Sequence, residues 1–288
     1  MSGGGTPGGP SGAAPGGSAT ALLIHGAWAG SWVWDTVTPA LVRAGIRTVA
    51  VDLPGTPGSA AGAELATLEG YAAAALDAVP TDADSIVVVG HSGGGVVAMS
   101  VAEALGERAA GVAFVAGIMP PAGMTFPELC AEATASGLAL DGGILPHLIH
   151  GPSDHGPVSA VPPEAGVAMF FQCAAAADAV AAARRLTAQP DAGLVMRAAW
   201  SEAGFGRLPR LYVEALQDRS IPLRLQRYMQ ARVPGAEVAT LDSDHAPQLS
   251  ATAELTNALR GFISRVCGGP ASVPRSDCDR FEPVGGRT

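Results

Sequence analysis

Residues 85–105 read SIVVVGHSGGGVVAMSVAEAL and decide the fold. The continuous apolar run at 86–89 predicts a strand buried on both faces, and the Ala- and Val-rich stretch after it predicts a helix. Between them lies Gly90-His91-Ser92-Gly93-Gly94, a G-x-S-x-G pattern. Small residues at its two ends let strand and helix approach closely, so the turn holds the Ser92 hydroxyl out over the sheet. Ser92 is therefore a candidate nucleophile and the Gly93 N–H a candidate oxyanion donor, whereas the alternative is a glycine-rich turn with an incidental serine.

Apolar runs and amphipathic helical stretches alternate on both sides of this motif. The other strand candidates are ALLIHG (21–26), RTVAVDLPG (47–55), GVAFVAG (111–117), RLYVEAL (210–216) and AEVATLD (236–242). Strands that alternate with helices predict an α/β fold with a mostly parallel central sheet flanked by helices.

The alternation stops between Ile118 and Arg207, where about 90 residues separate two predicted strands. We interpret this segment as an inserted helical cap over the C-terminal edge of the sheet, with helices predicted in 126–137 and 163–186. Residues 1–19 and 268–288 are rich in Gly, Pro and polar residues and are predicted to be flexible tails around a domain at 20–267.

Composition excludes several classes of function. The net charge is −9, so the chain does not match the phosphate backbone of nucleic acid or an anionic membrane. All 17 basic residues are Arg, which excludes Schiff-base chemistry and a P-loop lysine. The four cysteines are far apart in sequence, and this spacing is typical of neither a disulfide framework nor a zinc ribbon. The N-terminus lacks the charge and the apolar core of a secretory signal, so a cytoplasmic location is expected.

A serine nucleophile needs an imidazole base, and six histidines are available. His245 follows the last predicted strand, where a C-terminal base is expected after the nucleophile and the acid. His91 is next to the nucleophile, but its side chain should point away from Ser92 and pack in the interior. His25 ends the first core strand and is expected to organise the oxyanion loop.

A carboxylate has to fix the tautomer of the base. Asp218 lies directly after a predicted strand, in a loop that can reach His245. Asp242 and Asp244 are alternatives, although their short tethers to His245 favour a role in shaping the loop.

The remaining candidates concern the oxyanion hole and the substrate pocket. The first strand ends in His25-Gly26-Ala27-Trp28, and the turn can direct the Ala27 N–H toward the same point as that of Gly93. Apolar side chains that could contact a substrate are Trp28, Met119, Phe126, Phe170 and Phe171. A metal site in the cap is a weaker alternative, because its residues match no recognised ligand spacing: His147, His150, Asp154 and His155.

Five stretches resemble the α/β-hydrolase superfamily: LLIHGAWAGSWVW, TVAVDLPG, VVVGHSGGG, LQDRSIP and DSDHAPQLS. The resemblance covers about residues 20–266. Within the superfamily, the chain most resembles the branch that contains plant methylesterases, hydroxynitrile lyases and bacterial pyrethroid-type carboxylesterases. It implies a triad of Ser92, Asp218 and His245, with oxyanion donors at Ala27 and Gly93. Hydroxynitrile lyases of this branch carry Thr or Asn where this chain has Gly26, and one type adds a lysine. The chain has no lysine, so the resemblance implies esterase chemistry.

The sequence therefore predicts a cofactor-free serine hydrolase that acts on a small apolar ester, thioester or lactone. A lyase, cyclase or carbon–carbon bond-forming enzyme of secondary metabolism, with Ser92 and His245 as a proton relay, is the alternative on the same fold. A non-catalytic small-molecule receptor is a third class. Oligomeric state stays open.

Overall fold

The computed structural model describes residues 19–268. Apart from Ala19 and Gly268, the two predicted tails lie outside this range. The elements follow one another in the order β1 Thr20–Ile24, α1 Thr38–Arg43, β2 Arg47–Val51, α2 Leu68–Asp77, β3 Ile86–His91, α3 Gly94–Leu105, β4 Ala109–Val115, α4 Phe126–Ala135, β5 Ile149–Ser153, β6 Gly156–Ala160, α5 Pro163–Met169, α6 Ala176–Ala183, β7 Gln189–Pro190, β8 Arg210–Ala215, α7 Leu223–Arg232, β9 Ala236–Leu241, α8 Pro247–Ser250 and α9 Thr252–Val266.

The central sheet has six parallel strands in the order β2-β1-β3-β4-β8-β9. Each predicted strand is present, and the nucleophile motif follows β3, near the middle of the sheet. Successive residues of β3 point to opposite faces: Val88 packs in the core shared with α2 and α3, whereas Val87 and Val89 pack in the core shared with α1 and α9. Burial on both faces is the reason that the apolar run shows no alternation.

The segment between β4 and β8, which we interpret as an insertion, is only partly helical. Besides α4, α5 and α6, it contains an antiparallel sheet in the order β5-β6-β7. The sequence did not predict these strands, because β5 and β6 contain proline and glycine, which strands usually avoid. The predicted helix at 163–186 is divided into α5 and α6, because the segment between them turns Phe170 and Phe171 inward.

Within residues 19–268, no helix combines the length and the apolar character that crossing a bilayer requires.

Candidate active site

Ser92 occupies a sharp turn between β3 and α3. Its φ is +51°, a left-handed conformation that is unfavourable for a residue with a side chain. The turn is closed by glycines, since a Cβ built on Gly90 would lie only 2.6 Å from the Gly94 carbonyl oxygen. A Cβ on Gly94 would in turn overlap the carbonyl oxygen of His25. Both glycines thus have the close-approach role that the motif predicts.

Gly95 packs against the loop after β4. A Cβ at this position would overlap the Ile118 carbonyl oxygen, and the Ile118 N–H donates to the Ser92 carbonyl at 2.8 Å. Gly95 therefore allows the chain at Ile118, where the cap segment begins, to pack against the turn and hydrogen-bond to it.

His245 and Asp218 form a buried pair. The His245 Nδ1 lies 2.7 Å from the Asp218 Oδ2, and the two residues are only 3% and 5% exposed. Since an ionised carboxylate can only accept, Nδ1 carries the proton and Nε2 keeps its lone pair. His245 and Ser92 line the same small cavity. The structure thus brings the predicted base and acid together on the sheet edge that holds the predicted nucleophile.

The second oxygen of Asp218 is fixed by its own loop. Its Oδ1 accepts from the backbone N–H groups of Ser220 and Ile221, each at 2.8 Å. Gln226 of α7, which is fully buried, donates from Nε2 to Asp218 Oδ2 at 3.3 Å. Its amide also bonds to both the N–H and the carbonyl of Ala215 at the end of β8. Sequence reasoning missed Gln226, and the available signal was a polar residue on the inward face of an amphipathic helix.

The two alternative acids have structural roles. Asp242 accepts from the Gln217 side chain at 2.6 Å. Asp244 is fully buried and accepts from the backbone N–H groups of Cys173 and Ala246. They shape the loops around His245, as their short tethers suggested.

His25, directly after β1, and His91, at the end of β3, form hydrogen bonds with backbone groups. His91 is neutral and its Nε2 donates to the His245 carbonyl at 2.8 Å. Burial, reinforced by the nearby His245, lowers the pKa of His91 to about 3. His25 lies 2.7 Å from the Gly26 carbonyl through Nδ1 and accepts the Leu53 N–H through Nε2. Burial lowers its pKa as well. His25 therefore organises the turn that precedes Ala27.

The two predicted oxyanion donors lie on adjacent turns. A Cβ built on Gly93 would be 3.6 Å from the Ala27 nitrogen. Among the hydrogen bonds of residues 19–268, none uses the N–H of either residue. Both residues line the large cavity together with Ser92, so two free N–H groups lie beside the candidate nucleophile.

Ser92 lies where two cavities meet. The larger has a volume of about 1010 Å³ and extends under the cap, and the smaller, of about 20 Å³, is next to His245. Trp28 lines both cavities, Phe126 lines the larger, and Phe170 and Phe171 line the smaller. The Phe170 ring is 5.2 Å from that of His245.

The structure corrects one predicted pocket residue. Met119 is fully buried in the core beneath α7, and its N–H contacts the Met229 sulfur at 3.4 Å. It lines neither of these cavities. Its apolar character made it a candidate for the pocket, but its side chain packs in the core.

The cap histidines His147, His150 and His155 are exposed. His150 pairs with Asp191 at 3.4 Å, and His155 lies 3.8 Å from Glu64. In the part of the chain from 19 to 268, no three His, Cys, Asp or Glu side chains are grouped in a way that could hold a metal ion.

A parallel sheet covered on both faces, a strained serine between its third strand and the next helix, and an inserted cap define the class of α/β hydrolases. A model of the alpha/beta hydrolase family matches residues 21–258, and the chain belongs to this family.

Curated relatives and solved structures agree with this assignment. Esterase PIR7B of rice is 29% identical over 83% of this chain and 93% of its own length. Pyrethroid hydrolase of Sphingobium wenxiniae is 28% identical over 84% and 86%. The crystal structure of polyneuridine aldehyde esterase superposes with a TM-score of 0.71 at 22% identity, covering 84% of this chain and 97% of that one. The esterases among these relatives support ester hydrolysis as the general chemistry of the chain.

Proposed function

We propose that the protein is a serine hydrolase that cleaves an apolar ester, thioester or lactone through an acyl-enzyme. The observation that carries this proposal is the buried His245–Asp218 pair at 2.7 Å, whose histidine lines a cavity together with the strained Ser92. This combination provides a nucleophile, a base with the correct tautomer and an acid that fixes it.

In the first half of the reaction, the Ser92 Oγ attacks the carbonyl carbon and its proton passes to His245 Nε2. The N–H groups of Ala27 and Gly93 stabilise the oxyanion, each by about 3 kcal/mol. The imidazolium then gives its proton to the leaving oxygen or sulfur. In the second half, water loses a proton to His245 and attacks the acyl carbon, after which Ser92 leaves with that proton.

The two cavities support different roles for the two sides of Ser92. A volume of about 1010 Å³ is at the upper end for a small-molecule site and takes the bulky portion of the substrate. The cavity next to His245 has about 20 Å³, which is room for one water molecule. It is suited to hold the hydrolytic water while the acyl group occupies the larger cavity.

The test is intact-mass analysis after treatment with a fluorophosphonate, which reports nucleophile activation without knowledge of the substrate. We expect one adduct on the wild type and none on Ser92→Ala or His245→Ala. Ser100→Ala, which changes a serine of α3 that lies after the turn, is the matched control and should label normally. An unlabelled, folded wild type would contradict the proposal.

A second measurement separates hydrolysis from the proton-relay alternative. Turnover in water enriched in oxygen-18 should place the heavy oxygen in the acid product. A product without it would favour a lyase or cyclase that uses the same residues.

A further inference from the structure

A polar chain inside the large cavity connects α2, the cap and the oxyanion turn. The backbone N–H of Trp28, the residue after Ala27, donates to Gln189 Oε1 at 3.3 Å. The Gln189 Nε2 then donates to the Tyr71 hydroxyl at 2.7 Å. Tyr71 and Gln189 are only 2% and 5% exposed, and both line the cavity.

The direction of these hydrogen bonds is fixed by the backbone. The Trp28 N–H can only donate, so the Gln189 oxygen faces it and the amide nitrogen faces Tyr71. The Tyr71 oxygen must therefore act as the acceptor, which leaves its own proton free. Within residues 19–268, no hydrogen bond uses this proton. Burial raises the pKa of Tyr71 to about 12, so the proton stays on the oxygen at neutral pH.

The backbone of Gly193 approaches this hydroxyl closely, as only a residue without a side chain can. A Cβ at position 193 would lie 2.7 Å from the Tyr71 oxygen and 2.5 Å from the Gln189 amide nitrogen. Gly193 also lines the cavity. Tyr71 and Gly193 thus line the same cavity as Ser92.

We propose that Tyr71 donates a hydrogen bond to a second, neutral oxygen of the substrate and so selects esters that carry a further carbonyl or ether group. A buried donor with no protein acceptor is costly unless a ligand satisfies it, which is how a site rejects analogues that lack the matching group. Gln189 sets the distance from this donor to the oxyanion hole, because it bonds to the residue next to Ala27. A carboxylate is disfavoured, since the acids that line the cavity include Asp141 and Asp191 and its lining contains no arginine.

This inference rests on the proposed function, and the test separates the two. Alkyl p-nitrophenyl phosphonates are prepared in pairs of equal chain length, with and without one in-chain ketone, and the ketone is moved one carbon at a time. The rate of covalent labelling is followed by intact mass. We expect the wild type to react about tenfold faster with the best ketone probe than with its alkyl partner.

Tyr71→Phe keeps the ring and removes only the hydroxyl. Its ratio of ketone-probe to alkyl-probe rate should fall to about one, whatever the change in the alkyl rate, because the readout is the preference and not the basal rate. Gly193→Ala places a Cβ 2.7 Å from the Tyr71 oxygen, so the hydroxyl must move and the variant should lose the same preference although Tyr71 is present.

Three results would overturn parts of the argument. A wild type that labels but prefers no ketone position, or a preference that survives in Tyr71→Phe, would refute the role of Tyr71. An equal loss of rate with both probes would assign Tyr71 to the packing of the core. A folded wild type that labels with neither probe would refute the proposed function itself.

Discussion

Replacing Asp218 with Asn should disable the active site while leaving the fold intact. The Asp218 Oδ1 accepts from two backbone N–H groups at 2.8 Å, so the single oxygen of an Asn must occupy this position. Its NH₂ group then faces His245 Nδ1, which has to accept instead of donate. The imidazole proton moves to Nε2, and His245 can no longer take the proton of Ser92. Gln226 cannot relieve the mismatch by rotating its amide, because both ends pair with Ala215.

The magnitude follows from the loss of the base. A wrong tautomer lowers kcat by about 10⁴-fold in a serine triad, which is about 5 kcal/mol of transition-state stabilisation. The assay is the rate of fluorophosphonate labelling, or of hydrolysis of an activated ester, together with thermal unfolding. Asp242→Asn changes a carboxylate on the neighbouring loop, which carries His245, and should retain activity within about twofold. A loss smaller than tenfold in a stable Asp218→Asn protein would refute the assignment of Asp218.

Three further predictions concern the surroundings of the site. Gly26→Ala places a Cβ 2.7 Å from that of Ser92, so the turn must shift. We expect kcat/KM to fall about 100-fold and the free energy of unfolding to fall by about 1–3 kcal/mol. Near-normal kinetics would contradict this prediction. Gln226→Leu leaves buried backbone groups and Asp218 without their partner, so urea unfolding should show a loss of about 2–4 kcal/mol together with lower kcat. In the unfolded chain, His91 binds a proton below pH 6.5, whereas in the folded state its pKa of about 3 keeps it neutral. The free energy of unfolding therefore falls as the pH falls. Between pH 7 and 5 the wild type should lose about 2 kcal/mol more than His91→Gln, which keeps a donor; equal slopes would show that His91 does not titrate in this way.

The central fold was predictable because its signals are local. Each parallel strand is an uninterrupted apolar run, and the G-x-S-x-G turn follows from the glycines at 90 and 94, whose added Cβ atoms would overlap backbone. The order of elements along the chain also pointed to His245 and Asp218. The family assignment that these stretches suggested is confirmed by the match over residues 21–258.

The cap and the supporting residues were harder to predict, because they depend on contacts between distant parts of the chain. The hairpin of β5 and β6 has no strand-like composition. Met119 lies in the segment after β4, near the nucleophile turn, but its side chain packs in the core. The roles of Gln226 and Gln189 rest on amide orientations set by backbone groups far away in sequence. No pattern within a short window carries that information.

The hydrogen bonds of Trp28 have a consequence for engineering. This residue, with φ at +59°, is held by Gln189 through its N–H, by Ser159 through its indole and by Thr187 through its carbonyl, and all three partners belong to the insertion. The insertion is therefore not an independent module that can be exchanged between relatives for a new specificity. A chimaera that imports a foreign segment at 118–207 should need its own matching tryptophan loop, because otherwise the graft would misplace the Ala27 turn and lose rate on every substrate alike.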